Sequence, residues 1–160
     1  TALIIGAGGA ARAISFQLAL EGVDKLLITD LDLSKAKDLS SEISENVDLD
    51  VTAVEQNKIV GLINEVDLLV DATPVGMHPN EDVEAVVSAE TMHSELIVYD
   101  VVYNPRQTVL LEAAETVGAE AVSGLGMLLY QGVIAFEIWI GQEAPVEVMR
   151  DALENGIYKD

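Results

Sequence analysis

A doubly wound α/β domain on a parallel sheet is what this sequence predicts, and three observations predict it. Short, wholly apolar runs recur along the chain, helical spacings of apolar residues alternate with them, and a glycine-rich turn follows the first run. ALIIG (residues 2–6) opens the series. KLLIT (25–29), VTAV (51–54), VDLLVDA (66–72), LIVYDVV (96–102) and AEAV (119–122) follow. Runs of this length without polar alternation belong to strands buried on both faces. Between the first two, Ala11, Ile14 and Leu18 fall on one helical face. Leu39 and Ile43 do the same in the next segment, where Asp32 or Ser34 is the expected cap. With 160 residues, half of them hydrophobic, the chain is long enough for one domain with a full core. No internal repeat or low-complexity linker divides it.

The segment 125–141 departs from this pattern. At about 100° per residue, Leu125, Leu128, Leu129, Gly132, Val133, Phe136, Trp139 and Ile140 form a stripe expected to pack on the sheet. Met127, Gln131, Ile134 and Ile138 form a second, mostly apolar face opposite it. Such a helix is internal, lines a ligand cleft, or is covered by another domain or subunit. The sequence leaves these readings open, a homodimer included.

Composition removes several classes of function. There is no cysteine, so disulfides, thiolate metal sites and cysteine nucleophiles are excluded. A reducing cytoplasm is compatible, and a cytoplasmic protein is expected. No apolar run reaches the roughly 20 residues that cross a bilayer, and no charged segment precedes the opening strand as in a signal peptide. The 8 Lys and Arg against 28 Asp and Glu give a net charge of −20, which repels nucleic-acid phosphates and anionic membranes alike. Neither is expected as a partner. Glu42, Glu45, Asp48, Asp50, Glu81, Asp82 and Glu84 spread the acidity over helix faces and loops, as in a solvated surface or one adapted to high salt. His78 and His93 show no zinc-ligand spacing, so no metal is expected, and His78 reads as a solvated loop histidine. Ser123 lacks a nucleophile elbow, and Asp67 and Asp71 give no glycosidase pair.

The turn GAGGAA carries a chemical signature. Gly6, Gly8 and Ala11 match G-x-G-x-x-G/A after a strand and at the start of a helix, the fingerprint of a Rossmann-type dinucleotide-binding domain. The first glycine permits the tight turn, and the second lets backbone approach a pyrophosphate. The small third residue lets helix and strand pack closely. Gly9 adds an N–H without a side chain, and the helix N-terminus adds partial positive charge. Asp30 ends the second strand a little over 20 residues on, where such sites place a carboxylate for the adenosine ribose. Against a 2′-phosphate at ~4 Å that carboxylate costs about 1 kcal/mol in water and about 4 kcal/mol at an effective dielectric of about 20. NAD is therefore expected over NADP. Leu31 offers no compensating charge, and only Lys35 nearby could bind a phosphate. The alternative for Asp30 is the N-cap of the following helix.

Four stretches in order make the sequence resemble the cofactor-binding half of the shikimate/quinate dehydrogenase family. They are GAGGAARA (6–13), DATPVGM (71–77), DVVYNP (100–105) with Thr108 after it, and GLGMLLYQ (124–131) leading to AFEIWIG (135–141). The resemblance covers essentially the whole chain. It implies an NAD(P)-dependent oxidoreductase of aromatic amino acid biosynthesis, moving hydride between the cofactor and a ring hydroxyl or ketone of a cyclic polyol carboxylate. It also implies that Gly6, Ala7, Gly8, Gly9 and Ala10 cradle the pyrophosphate and that Asp30 holds the ribose, as in NAD-preferring members with a D-L-D stretch. Thr73, Pro74 and Val75 would follow the fourth strand into the site. Val101 and Gly124 would lie at the nicotinamide end with Met127 near the ring. Tyr103 and Gln131 match family positions that touch the substrate.

In that family an N-terminal domain binds the substrate and supplies a catalytic Lys and Asp. By resemblance, residues 1–160 are the nucleotide-binding domain alone. No catalytic residue is expected here, and the chain by itself is expected to be inactive, as a fragment or truncated paralogue. The missing domain would also cover the second apolar face of 125–141. One position departs from the pattern: the family usually has Asn where Asp71 stands. Asp71 either weakens a ligand contact that needs an amide N–H or caps the following turn with little consequence. Two other functions stand beside the dehydrogenase reading: a non-catalytic NAD-binding module, and another dehydrogenase such as a glutamyl-tRNA reductase.

Overall fold

Strand β1 (Ala2–Ile5) takes the centre of the sheet because all four of its residues are apolar and buried. In the computed structural model, which describes residues 1–158, β2 (Lys25–Thr29) pairs with one side of β1 and β4 (Leu68–Asp71) with the other. β3 (Asp50–Ala53) lies outside β2, while β5 (Ile97–Asp100) and β6 (Glu120–Ser123) continue beyond β4. All pairings are parallel, and the order is β3-β2-β1-β4-β5-β6. Every expected strand is present, its ends displaced by no more than two residues. The edge strands β3 and β6 alternate between exposed and half-buried residues, whereas β1 is covered on both faces.

Alternation along β1 divides the core in two. Ala2 and Ile4 face Ala11 and Ala19 of α1 (Gly9–Glu21) together with Ala36, Leu39 and Ile43 of α2 (Leu33–Asn46). Leu3 and Ile5 face the other side. There they meet Ile59 of the short α3 (Ile59–Leu62) and Leu110, Leu111 and Ala114 of α4 (Val109–Thr116). Helix α2 starts at Asp32, whose carboxylate accepts from the Ser34 N–H at 3.0 Å. The cap is Asp32, so Asp30 is free of that role. Thr108 caps α4 by accepting from the Leu111 N–H.

Helix α5 (Leu125–Ile140) corrects one expectation. Its stripe packs chiefly on α6 (Val146–Ile157) rather than on the sheet: Leu129, Val133 and Phe136 meet Ala144, Val146, Met149 and Leu153. Trp139 and Ile140, placed in that stripe by the sequence, are 81% and 56% exposed. The helix is not internal either, since Ile134 and Ile138 on the opposite face are exposed. The physical reason is amphipathic α6, which lies outside the elements expected from the apolar pattern. It offers α5 an apolar partner, and the two form a small satellite core. Among the described residues, no helix is long and apolar enough to cross a membrane.

The start of α5 is tied by backbone contact to the residues that follow β5. The Gly124 N–H donates to the Val102 carbonyl at 3.1 Å, and a methyl group on Gly124 would fall 2.0 Å from the Val101 carbonyl oxygen. Gly126, two residues on, has no heavy atom within 4 Å of that position. Gly124→Ala is expected to cost at least about 3 kcal/mol, because backbone rather than a flexible side chain must move. Gly126→Ala is expected to be neutral or to stabilise by up to about 1 kcal/mol through helix propensity. Urea unfolding of the two variants checks the contrast, and equal effects would contradict it.

Candidate functional site

The reversal of strand order between β1 and β4 opens a crevice at the carboxyl edge of the sheet, where doubly wound folds take ligands. Gly6 forms its floor. The residue leaves β1 with φ of +102°, its N–H donates to the Thr29 carbonyl at 2.7 Å, and an added Cβ would meet the Ala72 carbonyl oxygen at 3.2 Å. Only glycine combines that conformation with that approach. Gly8 and Gly9 differ, because added methyl groups there meet nothing within 4 Å. The space in front of the turn is open.

A cleft of ≈ 370 Å³ lies against this turn. Gly6, Ala7 and Gly8 form one wall, Asp30 and Leu31 a second, and Thr73, Pro74 and Val75 a third, so seven of the residues expected at a cofactor site converge here. Gln56 and Val86 also line it and were not foreseen. Gln56 follows β3 at the same carboxyl edge, a position that the strand pattern could have flagged. Val86 comes from a long loop without periodicity, so no signal pointed to it.

The Asp30 carboxylate is held in place from two directions. Its Oδ2 accepts from the Ala7 N–H at 2.8 Å and its Oδ1 from the Asp32 N–H at 2.9 Å. A carboxylate offers about four acceptor positions, so about two stay available to a ligand hydroxyl. No side chain caps the N-terminus of α1, and its first turn carries no acidic residue. The N–H groups and positive dipole end there suit an anion. Gly9 and Ala10 belong to that first turn and do not line the cleft.

The other expected residues lie elsewhere. Lys35 is exposed on the first turn of α2 and does not line the cleft. Val101, Tyr103, Gly124, Met127 and Gln131 stand toward the β5 and β6 end of the same edge. From β2 to β6 the edge spans four strand spacings, about 19 Å. Gly124 is buried and Tyr103 half-buried, while Gln131 is exposed on α5. His78 is exposed, as expected, and pairs with Glu81 at 2.6 Å. Among the described residues, no cluster of three or more His, Asp or Glu side chains is placed to hold a metal ion.

Asp71 and Asp100 are register partners at the ends of β4 and β5, and each is 1% exposed. Asp71 Oδ1 accepts from the Thr73 N–H at 2.9 Å, which makes this side chain the cap of the turn that carries Thr73 and Pro74. Asp100 Oδ1 accepts from the Val102 N–H, and Oδ2 takes the Thr108 hydroxyl proton at 2.6 Å. Burial pushes Asp71 up to about 6, with the Asp100 charge adding to the rise. Burial also raises Asp100.

A strand order of 3-2-1-4-5-6 with a glycine turn at the reversal defines the Rossmann class of doubly wound domains. Comparison with known proteins narrows this. The sequence model for shikimate/quinate 5-dehydrogenase matches residues 1–118, and that for the shikimate 5′-dehydrogenase C-terminal domain matches residues 124–154. A shikimate dehydrogenase (NADP(+)) of Methanopyrus kandleri is 54% identical over 94% of this chain and 53% of its own. A crystal structure of a shikimate dehydrogenase in complex with NADP+ superposes with a TM-score of 0.91 at 42% identity, over 99% of this chain and 55% of its own. The quinate dehydrogenase of Corynebacterium glutamicum in complex with NAD gives 0.86 at 35% identity, over 94% and 53%. The chain belongs to the shikimate/quinate dehydrogenase family. It spans about half the length of the curated relatives it matches.

The buried Asp71 yields a stability test. Its folded-state pKa lies above the ordinary value of 3.8, so the neutral form is favoured by folding. Stability associated with this group is full below pH ~4, is lost as pH rises through about 6, and stays lost above that. An amide keeps the acceptor for the Thr73 N–H and never ionises. Asp71→Asn is therefore expected to stabilise by about 1–3 kcal/mol at neutral pH and by little at pH ~4. Unfolding curves at the two pH values check this, and a variant destabilised at neutral pH would contradict it.

Proposed function

We propose that this chain binds a nicotinamide dinucleotide along the carboxyl edge of its sheet. In the full-length gene product it would serve a dehydrogenase acting on shikimate, quinate or a close cyclic polyol carboxylate. The observation that carries the reading is the open glycine turn facing an uncapped helix N-terminus, with an anchored carboxylate one strand away. In this reading the N–H groups at Gly8, Gly9 and Ala10 hold the pyrophosphate and Asp30 accepts from the adenosine ribose. Thr73, Pro74 and Val75 pack along the middle of the cofactor. Val101, Gly124 and Met127 stand at the nicotinamide end, and Tyr103 and Gln131 meet the substrate from this side. When bound, the nicotinamide supplies hydride transfer, and these residues orient it and exclude water. The exposed apolar face of α5 is where we place the remainder of the protein, which would bring the catalytic side chains.

NAD is the cofactor these residues favour. Asp30 turns a carboxylate toward the position of a 2′-phosphate, Asp32 adds a second nearby, and no cation lines the cleft. Lys35, on the first turn of α2, has its charge beside Asp32, and Arg12 of α1 is paired with Glu42. The Methanopyrus, Methanobrevibacter and Methanothermobacter relatives are named for NADP(+) and the Corynebacterium quinate enzyme holds NAD, so the NAD reading rests on the side chains at the ribose and not on kinship. The test is turnover by the full-length gene product with shikimate and with quinate, each against NAD+ and NADP+. The expected result is reduction of NAD+ with kcat/KM about tenfold or more above that for NADP+, a difference of about 1.4 kcal/mol. Binding without turnover of either substrate would favour a non-catalytic dinucleotide module. Preference for NADP+ would remove Asp30 as selector.

A further inference from the structure

The β5–α4 loop gives up three successive carbonyls to three distant parts of the chain. Val102 accepts from the Gly124 N–H at 3.1 Å and Asn104 from the His78 N–H at 2.8 Å. Between them, the Tyr103 carbonyl accepts from the Tyr158 hydroxyl at 2.7 Å, across 55 residues of sequence. Tyr158 closes α6, and the guanidinium of Arg106, from the same loop, lies 5.5 Å from the centroid of its ring. The loop is thus gripped on both sides of the Asn104–Pro105 peptide by one aromatic side chain, through its hydroxyl and through its face. The other two donors are backbone groups set by the fold. Of the three donors to these carbonyls, the Tyr158 hydroxyl is the side-chain one.

We infer that Tyr158 is a positioning residue for substrate binding, holding the backbone of the β5–α4 loop so that Tyr103 stands correctly at the carboxyl edge. The inference rests on the proposed role of Tyr103 as a substrate contact. Helix α6 gains a purpose from it: besides covering α5, it carries Tyr158 to the end of the site farthest from the glycine turn. Burial raises the phenol of Tyr158, which keeps the hydroxyl protonated and donating through the neutral range. Loss of the hydroxyl would leave a half-buried carbonyl without its partner and loosen the loop where the substrate is met, while the dinucleotide contacts at β1 and β2 stay intact.

Tyr158→Phe in the full-length gene product tests this, since it keeps the ring under Arg106 and removes only the donor. The expected result is a rise of about fivefold in KM for the cyclic substrate, with kcat and the KM for NAD+ changed by less than about twofold. In a Tyr103→Phe background the same substitution is expected to add less than about twofold. If Tyr103→Phe raises the substrate KM and Tyr158→Phe does not, the positioning role is overturned and the substrate role of Tyr103 stands. If neither changes it, the role of Tyr103 falls and the inference falls with it. Equal rises in both KM values would show general loss of structure and would also overturn it.

Discussion

Gly6 passes so close to the backbone of Ala72 that one methyl group would sit 3.2 Å from its carbonyl oxygen, and it does so at a φ that L side chains avoid. This contact at the strand reversal organises the carboxyl edge. It lets β1 end against β4 while the chain turns up toward α1, and it places the Ala7 N–H against the carboxylate of Asp30. The α1 N-terminus, the ribose-side carboxylate and the loop after β4 are thereby brought around one cleft. A larger residue at position 6 would fill the crevice from below, and the proposed cofactor path would close with it.

One local device recurs along this edge. Asp30 directly follows β2, Asp71 and Asp100 end β4 and β5, and each accepts from the backbone N–H two residues on. Where parallel strands stop, ladder partners stop as well, and a short acidic side chain satisfies the first free donor of the turn. Burial then separates the three. Asp30 keeps one side toward the cleft and accepts a second N–H from the glycine turn, whereas Asp71 and Asp100 are sealed in and drawn toward neutrality. The same turn chemistry thus yields one carboxylate suited to a ligand and two that brace loops, and the brace at Asp71 carries an electrostatic cost that an amide would avoid.

The parts of this arrangement that were legible in the sequence are those with a local physical signature. Apolar runs marked the strands, and the glycines with Asp30 marked the turn and its carboxylate, because each depends on residue type at short spacing. The orientation of α5 was not legible. A helix apolar on nearly every face carries no direction, and its partner α6 lies in a segment given no element beforehand. Val86 was missed for a related reason, since it enters the cleft through tertiary packing of an irregular segment, whereas Gln56 follows β3 at the carboxyl edge, where the strand pattern does point. The choice of Asp32 over Ser34 as cap, and the capping of Thr73 by Asp71, needed coordinates, since either outcome fits the same residues.

The central claim is that a dinucleotide lies on the glycine turn with its adenosine ribose against Asp30. Calorimetric titration of NAD+ and NADP+ into the protein and into Asp30→Asn tests it most directly. Tighter binding of NAD+ by the parent protein is expected, with a preference that narrows in the variant, because an amide removes the like charge while keeping one acceptor. Unchanged selectivity in Asp30→Asn, or no binding of either dinucleotide, would contradict it.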